Sequence, residues 1–120
     1  MKHLSLLLAL LGLAGCGEKP VTPLADARGD AERGKQLLWQ YGCGACHSIP
    51  EVKGAFGNVG PPLEGMAERV YLAGFLPNTP ENMVRWIRAP QAVDPLTAMP
   101  DLKVTEAHAH DMAAYLYRLK

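Results

Sequence analysis

This 120-residue chain has no excess of either charge, no cluster of basic residues, no internal repeat and no alternation of apolar and polar residues long enough to read as a strand. Twelve Lys and Arg residues balance twelve Asp and Glu residues. Without a basic patch there is no electrostatic footprint for nucleic acid. Cysteine is scarce, at three residues, which leaves no room for a disulfide framework. Long apolar runs are scarce too: Leu4–Leu13, broken by Ser5 and Gly12, is shorter than a comfortable membrane span. The length bounds the chain to one small domain, and a domain of this size buries little surface unaided.

Two of the three cysteines stand together in Cys43-Gly44-Ala45-Cys46-His47. Two thiols three positions apart, with a histidine directly after the second, form the attachment pattern for a c-type haem. Each thiol can add to one vinyl arm of the porphyrin, and His47 is then held where its Nε2 can be the proximal iron ligand. A redox dithiol and half of a zinc site share the spacing. The first calls for a strand-to-helix setting, and no β pattern precedes Cys43. The second calls for two further ligands, and Cys16, His108 and His110 lie far off in the sequence. A covalent haem would also serve so small a domain as core and staple.

The N-terminus reads as an export signal. Met1-Lys2-His3 precedes the apolar run, which ends in Leu13-Ala14-Gly15-Cys16. That ending resembles the lipobox of bacterial lipoprotein signal peptides, in which the cysteine is lipidated and becomes the mature N-terminus. An ordinary signal peptide cut near Ala14 or Gly15 is the alternative. The reading adopted is a signal peptide at 1–15, a lipid-anchored tether at 16–29 and a folded domain at 30–120, exported and facing the periplasm or the cell exterior. Gly17–Gly29 holds Pro20 and Pro23 and no helical apolar period, so it reads as a flexible linker reaching at most ~45 Å. Removing residues 1–15 takes away one base, Lys2, and leaves 11 against 12 acids.

The domain is expected to be all-α. Asp30 can cap a first helix over Ala31–Tyr41, with Leu37, Leu38 and Tyr41 on its buried stripe and Gly34 marking close approach of another helix. Ser48–Leu63 is rich in Gly and Pro and reads as a long loop wrapped on something. Leu63, Met66, Ala67 and Val70 predict a short helix over Glu64–Leu72. Thr79-Pro80 starts a helix over Glu81–Arg88 that Pro90 ends, and an irregular Gln91–Lys103 follows. Thr105 caps the last helix, whose stripe is Ala109, Met112, Ala113, Leu116 and Leu119. His108 and His110 in its first turns read as solvated surface histidines.

In this order of features the stretch Asp30–Lys120 resembles the class I cytochromes c. Gly60-Pro61-Pro62-Leu63-Glu64-Gly65 looks like the family's Gly-Pro-x-Leu-x-Gly loop, and Ala98-Met99-Pro100-Asp101-Leu102 like its methionine-ligand segment. The resemblance implies a small fold of helices and loops around one covalent haem c. It implies that the Pro61 carbonyl orients His47, that Arg69 meets a haem propionate, that Trp86 lies near the methionine side of the haem, and that the last helix crosses the first near Gly34. Arg69–Asn82 looks most like cytochrome c domains attached to or encoded with terminal oxidase subunits. Around the haem edge the resemblance puts Gly44, Ala45, Ile49, Phe56, Ala98 and Pro100, none of them charged.

Of five methionines, Met66, Met83 and Met112 fall on helical stripes as core filler, and Met1 goes with the leader. Met99, in a proline-bounded loop, is the expected distal ligand. His/Met ligation fills both axial positions and suits one-electron transfer over bond making. The expected function is a membrane-tethered mono-haem electron carrier serving a respiratory complex such as a terminal oxidase, not an enzyme in itself, with a redox protein at the membrane as its partner. The alternatives are a haem subunit of a periplasmic dehydrogenase or oxidase, a peroxidase-like enzyme, and a gas-binding module with a labile Met99.

Overall fold

Residues 28–120 are described by the structure, a computed structural model; the leader, Cys16 and the linker up to Ala27 lie outside the described residues. The first helix, α1, spans Ala31–Gln40. Its N-terminal amides are satisfied by the Asp30 carboxylate, which accepts from Glu32 N–H at 3.0 Å and Arg33 N–H at 3.1 Å. The buried face is Ala31, Gly34, Leu37 and Leu38, and Tyr41 closes the helix as its C-cap. The last helix, labelled α4, spans Glu106–Leu116 and is capped by Thr105, whose hydroxyl accepts from His108 N–H at 3.3 Å.

These two helices cross and make the largest packing contact of the domain. Gly34 sits at the crossing. A β-carbon there would fall on the backbone carbonyl of Asp111 and lie 3.0 Å from Met112 N. Only a residue without a side chain lets the two backbones meet so closely. Beside the crossing, Asp111 is buried yet fully paired. Its carboxylate accepts from Arg33 Nε at 2.5 Å, Arg33 Nη2 at 2.9 Å and Asp30 N–H at 2.8 Å. Hydrogen bonds from the guanidinium hold the Asp111 carboxyl below the usual carboxylate range.

Between these ends lie two more helices and a hairpin. Helix α2, Pro80–Arg88, begins at Thr79, which accepts from Asn82 N–H at 3.2 Å, and packs Met83, Val84 and Ile87 inward. The expected irregular segment after Pro90 instead opens with a four-residue helix α3, Pro90–Val93. The helix expected over Glu64–Leu72 is reduced to one 3₁₀ turn, Met66–Glu68. Gly65 before it is left-handed, at φ 67°, which blocks a longer helix from starting earlier, and the chain extends at Arg69. Tyr71–Leu72 (β1) then pairs antiparallel with Leu76–Pro77 (β2), in register Tyr71↔Pro77 and Leu72↔Leu76. The all-α expectation thus holds apart from this two-stranded hairpin. Its turn puts Ala73 at φ 50° and Gly74 at φ 82°.

Asn78 fixes the hairpin to the body. Its side-chain amide donates to the carbonyls of Met66 at 2.9 Å and Arg69 at 2.7 Å, and its oxygen accepts from Tyr117 O–H at 2.7 Å. Every hydrogen-bonding direction of this buried amide but one lone pair is used. Among the described residues no helix is long and apolar enough to cross a membrane.

Candidate functional site

The residues with chemistry to offer stand on loops that the helices hold in place. Cys43–Ala45 forms a single 3₁₀ turn entered through left-handed Gly42, and the amides of Cys46 and His47 donate to the Cys43 carbonyl at 3.2 and 3.0 Å. Cys43 and Cys46 are both free thiols, half-buried. Burial pushes the Cys43 thiol above its ordinary pKa, so it is neutral at physiological pH. The next loop wraps this turn: Gly57 N–H donates to the Gly44 carbonyl at 3.1 Å and Gly60 N–H to the Cys46 carbonyl at 2.8 Å.

His47 is oriented by Pro61. Its Nδ1 lies 2.7 Å from the Pro61 carbonyl oxygen. A carbonyl can only accept, so Nδ1 carries the proton, and in the neutral ring Nε2 keeps a free lone pair. The ring packs against Gly60, where a β-carbon would come within 2.7 Å of Nδ1. The loop that carries Pro61 is held by Arg69, whose Nη2 donates to the Pro62 carbonyl and, at 3.1 Å, to the Glu64 carbonyl. Arg69 therefore steadies the element that steadies His47.

Met99 is half-buried, outside the core cluster that takes in Met66, Met83 and Met112. Its N–H donates to Thr97 Oγ1 at 3.2 Å and its carbonyl accepts from Gln91 Nε2 at 2.7 Å. Gln91 belongs to α3, so the short helix that periodicity passed over is what anchors the Met99 loop. Trp86, on α2, is half-buried against the core.

Two expectations need correction. His108 is not simply solvated: its Nδ1 is 2.9 Å from Tyr41 Oη, the rings meeting edge-on with centroids 5.8 Å apart. Ile49, expected at the rim, is buried at 3% exposure, because the Ser48↔Phe56 bridge turns it inward. Phe56 is the side chain that bridge presents outward, at 86% exposure. Among the described residues no three His, Cys, Asp or Glu side chains gather into a metal cluster, so Cys43 and Cys46 have no such partners for a zinc site.

A small helical domain that displays two thiols and an oriented imidazole on consecutive turns defines a protein of the c-type cytochrome class. The chain belongs to the cytochrome c family, whose model matches residues 31–120. It is similar to cytochrome c oxidase subunit 2 of Alkalihalophilus pseudofirmus, at 32% identity over 113 residues, which is 91% of this chain and 30% of that protein. The chain thus spans under a third of the curated relative it matches. A cytochrome c domain implies haem c and electron transfer.

The residues present fit that group. The thiols of Cys43 and Cys46 are unpaired, His47 Nε2 is free to ligate, and Met99 offers a soft thioether. Large apolar side chains left uncovered fall in the same loops: Val59 after His47, Leu96 and Leu102 on either side of Met99. That is the surface expected of loops built to close on an apolar plate.

Proposed function

We propose that the chain is a mono-haem cytochrome c, tethered to a bacterial membrane through lipidated Cys16 and facing the periplasm or cell exterior. It carries single electrons to or from a respiratory complex such as a terminal oxidase. The observation that carries this reading is the 2.7 Å contact from His47 Nδ1 to the Pro61 carbonyl beside two free thiols. It fixes the tautomer, aims Nε2 and raises its basicity as a ligand. The haem, when bound, would supply a reversible one-electron iron couple. Cys43 and Cys46 would hold it covalently, and His47 and Met99 would ligate its iron. Ligation by both residues would favour outer-sphere transfer and a raised potential. Arg69 and Pro61 act by keeping the imidazole still.

Electrons leave past the attachment turn. Ala45 is exposed there, and Phe56 stands beside it, held by the Ser48 bridge and the Gly57–Gly44 hydrogen bond. The docking contact is therefore small and apolar, and the tether supplies encounter through local concentration. Turnover with native membranes is expected to vary weakly with ionic strength, since screening acts on charge. Ala45→Glu and Phe56→Glu are expected to slow electron transfer with the haem spectrum unchanged. A steep fall with salt, together with silent glutamate variants, overturns the docking face.

The name of the relative, a subunit, favours one second reading: a fixed haem subunit of an oxidoreductase. Stoichiometric co-purification from detergent-solubilised membranes would select it over the free carrier.

A further inference from the structure

The hairpin is built with two faces. Leu72 and Leu76 point into the core, whereas Val70, Tyr71 and Phe75 are 72%, 54% and 53% exposed. From Val70 to Pro80 the chain carries no charged residue. Part of its backbone is paired beyond the ladder itself: Phe75 N–H donates to the Leu72 carbonyl at 3.1 Å, Asn78 N–H to Val70 at 3.0 Å, and Asn82 Nδ2 to Pro77 at 2.9 Å. Each backbone group paired in this way lowers the cost of leaving water. Asn78 makes it rigid.

Its location adds a second observation. Tyr117 and Arg118 are consecutive at the end of α4. Tyr117 reaches the base of the hairpin through Asn78, and Arg118 Nη1 donates to Glu32 Oε1 at 2.8 Å, in the first turn of α1. The chain enters the domain at Asp30, whose N–H donates to Asp111, so the entry point and the hairpin's tie at Tyr117 hang on one helix, about 9 Å apart along its axis. From Cys16 to Arg28 the sequence can span at most ~40 Å.

Resting on the lipid-anchor reading above, we infer that the hairpin Val70–Pro77 is a second membrane contact, which lays Tyr71 and Phe75 into the headgroup region of the lipid surface that holds Cys16. An aromatic pair on a run that carries no charge from Val70 to Pro80 suits the interface of a neutral bilayer, where amphipathic rings settle. The contact orients the domain on its tether and leaves the attachment turn to the redox partner.

The test uses the full lipidated holoprotein in vesicles of phosphatidylcholine bearing a photoactivatable diazirine in the acyl chain, with labelled residues mapped by mass spectrometry. Label is expected at Tyr71 and Phe75 as well as on the Cys16 peptide. In the double variant Tyr71→Ser, Phe75→Ser the hairpin label is expected to fall at least tenfold, with the haem spectrum kept as evidence of folding. Label on the Cys16 peptide alone overturns the hairpin contact and leaves the anchor standing. Protein that stays unlabelled and soluble overturns the anchor, and the inference with it. A hairpin that crosslinks to a protein in native membranes, but never to lipid, also overturns the inference and assigns the patch to a protein partner.

Discussion

Replacing Gly34 by valine tests the crossing on which the domain closes. A β-carbon at this position lands on the Asp111 carbonyl and 3.0 Å from Met112 N. Both neighbours are backbone in the middle of α4, so no flexible side chain can swing aside. The helices must separate instead. Overpacking of this kind costs ~1–3 kcal/mol. Leaving glycine in a helix returns part of this, though less for β-branched valine than the ~1 kcal/mol that alanine gives. Separation also strains the Arg33–Asp111 pair and the Asp30 amide that lean on the same turn. A net loss of ~2 kcal/mol is expected, or ~8–16 °C in Tm for a domain of this size. The assay is thermal unfolding of the holoprotein followed by far-UV circular dichroism and by haem absorption. A Gly34→Val midpoint within ~2 °C of the parent refutes the crossing.

Met99→Ala is expected to abolish the weak sulfur-to-iron absorption band of the oxidised protein, whereas Met66→Ala and Met83→Ala keep the band but lose ~2–5 kcal/mol of stability as buried side chains; a band that survives Met99→Ala assigns the ligand elsewhere. Asp111 has a lower pKa folded than unfolded, so its contribution is complete above about pH 5 and drains away as the pH falls through the folded value. Asp111→Asn is expected to cost ~1 kcal/mol at pH 7, given the half-exposed guanidinium, and to flatten the acid limb of stability against pH; an unchanged acid limb in urea titrations rejects the pairing. Cys16→Ser is expected to release a soluble haem-containing domain or leave an uncleaved precursor, with the haem spectrum unaltered, and unmodified Cys16 in the mature membrane-bound protein rejects lipidation.

What the sequence disclosed was local. Asp30, Thr79 and Thr105 cap helices because a side-chain oxygen two or three residues from an open amide needs no tertiary information. Gly34 could be read because a glycine on an apolar stripe has few uses beyond close approach. The His47–Pro61 contact came from resemblance, since no spacing rule places a carbonyl fourteen residues away. Periodicity misled at Glu64–Leu72, where Val70 fits the stripe but stands in solvent. There Asn78, from further along the chain, takes the Met66 and Arg69 carbonyls and replaces helix with hairpin. Strands of two residues show no alternation, and α3 is one turn long, so neither left a period to find. Asp111 escaped because a search for apolar stripes passes over a buried carboxylate, although Arg33 on the facing helix was its available signal.

The crossing of α1 and α4 also sets an order in time. Gly34 and Asp111 lie at opposite ends of the domain sequence, and everything that could bind a cofactor is strung between them. A chain delivered N-terminus first presents Cys43, Cys46 and His47 well before α4 exists. Until then α1 has no helix to rest on, and the closing of so long a loop, with its entropic cost, has yet to occur. The two thiols therefore pass through an interval in which they are held by nothing, open to whatever chemistry acts on them. The last helix ends that interval by closing the domain.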